Sequence, residues 1–140
     1  MAQGKARKTV LVTDDDPVLR QLATKVIQAR GYDVVTADSG ERAVELFAAG
    51  TPIDLHVLDV VMQPMDGLET MAKLRERGFG DVPVVLLTAQ CSDEDLLEGY
   101  RAGAGYYLTK PFKPVALLRI VDYLIGDLSP EQRQSLMMQL

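Results

Sequence analysis

The chain is 140 residues long, 47% hydrophobic and 25% charged, with a formal net charge of -5 and one cysteine. That length and apolar content fit one domain with short tails and a sizeable core. The scattered Lys and Arg argue against nucleic-acid binding by this chain's own surface, Cys91 alone forbids an internal disulfide, and the absence of a signal peptide or an apolar run of about 18 residues excludes a membrane span and fits a reducing cytoplasm.

Residues 1–8, MAQGKARK, are polar and basic and read as a flexible tail. An apolar strand at Val10–Thr13 ends in Asp14, Asp15 and Asp16. Pro17 suits a first helical turn, and Leu19, Leu22, Ala23, Val26 and Ile27 recur at helical spacing until Gly31. Asp33–Ala37 is the second strand. Ser39 caps a helix carrying Ala43, Val44, Leu46 and Phe47, closed by Gly50 and Pro52. Leu55–Leu58 is the third strand and ends at Asp59. Asp66-Gly67 opens a helix with Leu68, Met71, Ala72 and Leu74. Pro83–Leu87 is nearly all apolar and reads as a strand buried on both faces. Ser92 or Asp93 starts a fourth helix with Leu96, Leu97 and Tyr100. Tyr106–Leu108 is the fifth strand, and Pro114–Ile125 is a helix with Val115, Leu118, Val121, Leu124 and Ile125 as expected packing residues. Residues 127–140 read most simply as a frayed tail or linker, with a helix that docks on a partner or begins a coiled coil as the sharper alternative.

The pattern is five βα units, which right-handed crossovers turn into a parallel sheet covered on both faces. Neither a Gly-x-Gly-x-x-Gly turn nor a Gly-Lys-Ser/Thr loop is present, so a dinucleotide or P-loop site is disfavoured. If the strands lie parallel, Asp14, Asp15 and Asp59 meet Lys110 at one C-terminal edge, where open α/β sheets bind ligands. Clustered carboxylates call for a cation, and an all-oxygen donor set suits Mg²⁺, with Mn²⁺ as a substitute. Asp15 is the better ligand and Asp14 a direct or water-mediated helper. Asp16 reads as helix-start decoration. Asp59 beside the metal is a nucleophile for phosphorus, giving an acyl phosphate. Lys110, before a candidate cis Pro111, is placed to pair with Asp59 and then with phosphoryl oxygens. Thr88 could donate to a phosphoryl oxygen, and Tyr107 could change rotamer when Thr88 moves, while Tyr106 points the other way. His56, the one histidine, faces away from Asp59 and reads as structural. Cys91 and the methionines carry no assigned role.

With VLVTDDDP, LDVVMQPMDG, LLTA and YYLTKPF in these relative positions, residues 9–126 resemble the receiver domain of two-component response regulators, of the CheY-like superfamily. The resemblance implies a doubly wound (βα)5 flavodoxin-like α/β fold with strand order 2-1-3-4-5. It implies Asp59 as phosphoacceptor, Asp14, Asp15, Asp59 and the Val61 backbone carbonyl around Mg²⁺, Thr88 and Lys110 on the phosphoryl group, and Tyr107 as the switch aromatic. The donor would be a histidine kinase or histidine phosphotransfer protein. The outcome would be regulation of an effector or of an output domain absent from this chain, rather than enzymatic turnover, with slow self-dephosphorylation. Two features depart from the pattern. Proline falls one place late in Met62-Gln63-Pro64-Met65-Asp66-Gly67, and Gly105 and Tyr106 stand where many DNA-binding members carry acids, which weakens their usual charged dimer contact while leaving a homodimer open. Apolar Val61 implies a long-lived phosphoryl group. The competing readings are an aspartyl-phosphate phosphohydrolase, disfavoured by Val61 where such enzymes need an acid, and a phosphate-independent pseudo-receiver, disfavoured by the complete acidic set.

Overall fold

A computed structural model describes residues 7–89, 97, 101 and 103–140. Strands β1 (Thr9–Thr13), β2 (Asp33–Ala37), β3 (Leu55–Asp59), β4 (Val84–Thr88) and β5 (Tyr106–Thr109) form one parallel sheet in the order β2-β1-β3-β4-β5. Among the described residues the helices are α1 (Pro17–Ala29), α2 (Gly40–Ala48), α3 (Gly67–Glu76), α4 (Pro114–Ile125) and α5 (Pro130–Met137). The helix expected after Ser92, together with Gln90 and Cys91, lies almost wholly outside them. No helix among them is long and apolar enough to cross a membrane.

Alternation along each strand divides the core between two faces. Val10, Val12, Leu55, Val57, Val85 and Leu87 pack on Ala23 and Ile27 of α1 and on Leu117, Ile120, Val121 and Ile125 of α4. Leu11, Leu58 and Leu86 face α2 and α3 through Val44, Phe47, Met71 and Leu74. Strand order and register bring the C-terminal ends of β1 and β3 side by side, with Thr13 opposite Leu58.

Two packing expectations are corrected. On α4 the buried residues are Leu117, Ile120, Val121, Asp122 and Ile125, whereas Val115 is 48% exposed. Leu117, Ile120, Val121 and Ile125 recur at three- to four-residue spacing and form the face against the sheet, and Val115 lies off that stripe. On α3 Ala72 is exposed, because Met71 and Leu74 already fill the stripe toward the sheet.

The segment read as a frayed tail holds α5, which Ser129 and Gln132 cap reciprocally. Arg133 donates to the carbonyls of Tyr123 and Gly126, and Lys8 Nζ donates to the Ile125 carbonyl at 2.7 Å. Two cations thus meet the C-terminal carbonyls of α4, where the helix dipole favours positive charge.

Candidate functional site

Asp14 is the first residue beyond β1, and its backbone N–H still donates to Ala37 at 3.1 Å, so the sheet holds it in place. The Arg20 guanidinium reaches back from α1 to the Asp14 carbonyl at 2.8 Å, and the Asp16 N–H donates to Asp14 Oδ1 at 2.9 Å. Asp16 itself caps α1, accepting from Val18 and Leu19. This leaves Asp14 buried while its neighbour Asp15 is exposed.

Asp59 ends β3 and is 4% exposed. Its Oδ1 accepts from the Val61 N–H at 3.3 Å. The chain then turns tightly into α3: the Gly67 N–H donates to the Val60 carbonyl at 2.8 Å, and Asp66 and Glu69 form a capping box. A Cβ on Gly67 would fall 2.5 Å from the Asp59 carbonyl, so only glycine allows this approach. The displaced proline is accommodated in this loop, where the Gln63-Pro64 bond is cis.

Lys110 follows β5, and its N–H donates to the Thr88 carbonyl at 2.7 Å. The Lys110-Pro111 bond is cis. Its Nζ lies 3.2 Å from both Asp14 Oδ2 and Asp59 Oδ1, so the lysine bridges the two acids rather than pairing with Asp59 alone. Burial, followed by the Asp14 charge, pushes the Asp59 carboxyl up to about 6 despite Lys110. Burial works against the Lys110 ammonium, but Asp14 and Asp59 outweigh it and raise its pKa.

One carboxylate oxygen from each of Asp14, Asp15 and Asp59 lies within 4.8 Å of the others. Three hard oxygen donors, one of them facing solvent, fit a divalent cation with water completing its shell. Thr88 is buried at the end of β4. Tyr107 pairs with Leu86 in the ladder and packs with it on the α3 side, one pleat below Thr88, whereas Tyr106 packs on the opposite face. Val61 forms an exposed apolar lip beside Asp59.

The sequence matches the response regulator receiver domain family over residues 10–122. The chain belongs to this family. Among curated relatives, the transcriptional regulatory protein YvrH of Bacillus subtilis is 38% identical over 78% of the chain and 45% of its own length. Response regulator MprA of Mycobacterium sp. (strain KMS) is 39% identical over 88% of the chain and 53% of its own length. The chain therefore spans about half the length of the curated relatives it matches. Among solved structures, the Vibrio cholerae chemotaxis protein CheY4 superposes with a TM-score of 0.81 at 33% identity, covering 86% of this chain and 100% of its own. A Francisella receiver domain, that of response regulator 1452, gives a TM-score of 0.79 at 33% identity, covering 84% and 96%. The fold is the CheY-like, doubly wound one, as the strand order requires.

Three features of this receiver domain escaped the sequence reading: the Arg20 brace on Asp14, the lack of space at Gly67, and a buried Thr13–His56 hydrogen bond at 2.8 Å. The first had a signal in an arginine one turn into the helix that follows the acids. The last had one too, in two polar residues inside otherwise apolar strands.

Proposed function

We propose that this receiver domain is a phosphorylation-dependent switch whose Asp59 takes a phosphoryl group from a histidine kinase or histidine phosphotransfer protein. The observation that carries this reading is the buried Asp59 at a sheet edge, flanked by two further carboxylates and by the Lys110 ammonium 3.2 Å away.

Asp59 is the nucleophile. One carboxylate oxygen forms the new bond to phosphorus as the phosphorus–nitrogen bond of the donor phosphohistidine breaks, and the imidazole leaves with the electron pair and takes up a proton. Asp14, Asp15 and Asp59, with the Val61 carbonyl, would hold Mg²⁺, which offsets the negative charge shared by the carboxylates and the phosphoryl oxygens. Lys110 exchanges part of its contact with the acids for a phosphoryl oxygen, and Thr88 donates its hydroxyl to another. Movement of Thr88 toward the new group frees space on the face it shares with Tyr107, whose ring follows. That biases a two-state equilibrium and remodels the surface around β5.

An effector protein, or an output domain elsewhere in the same protein, reads that surface, and the cytoplasm is where such a kinase would deliver its phosphoryl group. Val61 is apolar and 65% exposed, so its side chain orients no water toward the acyl phosphate. The phosphoryl group is therefore long-lived, and a half-life of seconds in the isolated domain would contradict this.

The decisive test is intact mass after incubation with Mg²⁺ and acetyl phosphate, or with a phosphorylated kinase. A gain of about 80 Da in the wild type that disappears in Asp59→Asn supports the acceptor. A gain that survives the substitution, or none from either donor, overturns the reading.

A further inference from the structure

Among the described residues, the buried polar side chains on the sheet strands are Thr13, His56, Asp59 and Thr88. Thr13 and His56 are both 0% exposed, and Thr13 Oγ1 lies 2.8 Å from His56 Nε2. His56 Nδ1 has no hydrogen-bond partner among the described residues, and the Phe47 ring stands 5.7 Å from the imidazole. Burying two polar side chains costs free energy that a pair of aliphatic residues would not. The ring is best assigned as the Nε2–H tautomer donating to Thr13, which leaves only an acceptor unpaired at Nδ1.

The location of the bond gives it a use. Thr13 is the last residue of β1 and immediately precedes Asp14, and His56 lies three positions before Asp59 on β3. In the ladder Leu11 pairs with His56 and Thr13 with Leu58, so the side-chain bond runs diagonally between the strands. Backbone ladder bonds fix the spacing of adjacent strands. A diagonal side-chain bond adds resistance to sliding along them and to splaying at their ends. That is the motion that two like charges at those ends promote.

We propose that the Thr13–His56 hydrogen bond holds the ends of β1 and β3 so that Asp14 and Asp59 reach one cation, making Thr13 and His56 positioning residues of the phosphoryl site. The proposal rests on the reading of the acidic pocket as a Mg²⁺ site. Neither residue touches the metal or the phosphoryl group. They act through the strands that carry the ligands, as outer partners do in other metal sites.

The test separates affinity from stability by calorimetric Mg²⁺ titration and urea unfolding of the full chain. Thr13→Val keeps the shape and removes the hydroxyl, and Mg²⁺ binding should weaken roughly tenfold. Thr13→Ser restores it. In Thr13→Val/His56→Leu both polar partners are gone, so the unfolding midpoint returns toward that of the wild type, while Mg²⁺ binding stays weak. A double variant that binds Mg²⁺ as tightly as the wild type overturns the proposal and leaves the pair a purely structural one. If the double variant does not fold, equal affinities in Thr13→Val and Thr13→Ser overturn it instead. A wild type that binds no Mg²⁺ overturns the pocket reading and this proposal together.

Discussion

The Lys110 ammonium stands 3.2 Å from Asp59 Oδ1, close enough to offset the charge of the proposed phosphoacceptor. The same nitrogen reaches Asp14 Oδ2 at 3.2 Å. One lysine therefore holds together two acids that would otherwise repel. It would also compete with the proposed cation for both of them.

This competition gives Lys110→Ala effects of opposite sign. Removing the ammonium should strengthen Mg²⁺ binding by roughly fivefold, about 1 kcal/mol, because a positive charge leaves the cation's surroundings. Phosphorylation from acetyl phosphate should fall, because a donor to the phosphoryl oxygens is lost. Calorimetry and intact mass on the same sample check the pair of outcomes, and weaker Mg²⁺ binding would contradict the bridging role.

Gly67 sets the position of Asp59 from behind. With only 2.5 Å between an added Cβ and the Asp59 carbonyl, Gly67→Ala must push α3 away from the end of β3. The expected cost is about 1–3 kcal/mol in urea unfolding, accompanied by weaker Mg²⁺ binding. Alanine at Gly50, which has φ 82° and nothing within 4 Å of an added Cβ, tests backbone conformation without crowding and should leave Mg²⁺ binding unchanged.

Burial lowers His56 to about 3, whereas an unfolded histidine titrates near 6.5. Between those values the unfolded chain binds a proton that the folded chain refuses. Stability from this residue is therefore fully present above about pH 6.5 and is lost as pH falls, by about 1.4 kcal/mol per pH unit once well below it. His56→Leu in the Thr13→Val background should flatten this dependence between pH 6 and pH 4 (roughly, from those pKa values). Urea midpoints at stepped pH measure it, and parallel curves for the two proteins would contradict it.

Asp122 is buried on α4, where it accepts from Tyr32 Oη at 2.6 Å and from Arg30 at 2.5 Å. Burial, and then the carboxylate, raise the Tyr32 hydroxyl above its ordinary range. Asp122→Ala removes the acceptor from both donors and should cost about 2–3 kcal/mol. The cluster lies at the N-terminal edge of the sheet, away from the acidic pocket, so phosphorylation of the folded variant should match the wild type. A loss of phosphorylation without a loss of stability would show an unexpected coupling between the two edges.

The strands, the helix caps at Ser39 and Asp66, and the acids ending two apolar runs were legible because each is a local rule: alternation, capping and charge repulsion act over a few residues. Given a parallel sheet, which the alternation of strands and helices implies, those rules gather Asp14, Asp15, Asp59 and Lys110 at one edge. What required the tertiary structure was every choice among equivalent local options. Hydrophobic period did not separate Val115 from the packed face of α4, because an apolar residue off the stripe reads like one on it until the helix packs. It could not show that Lys110 bridges Asp14 as well as Asp59, that Arg20 folds back onto the Asp14 carbonyl, or that His56 and Thr13 meet inside the core. Those contacts join residues far apart in the chain, and only the strand order and register set their distances.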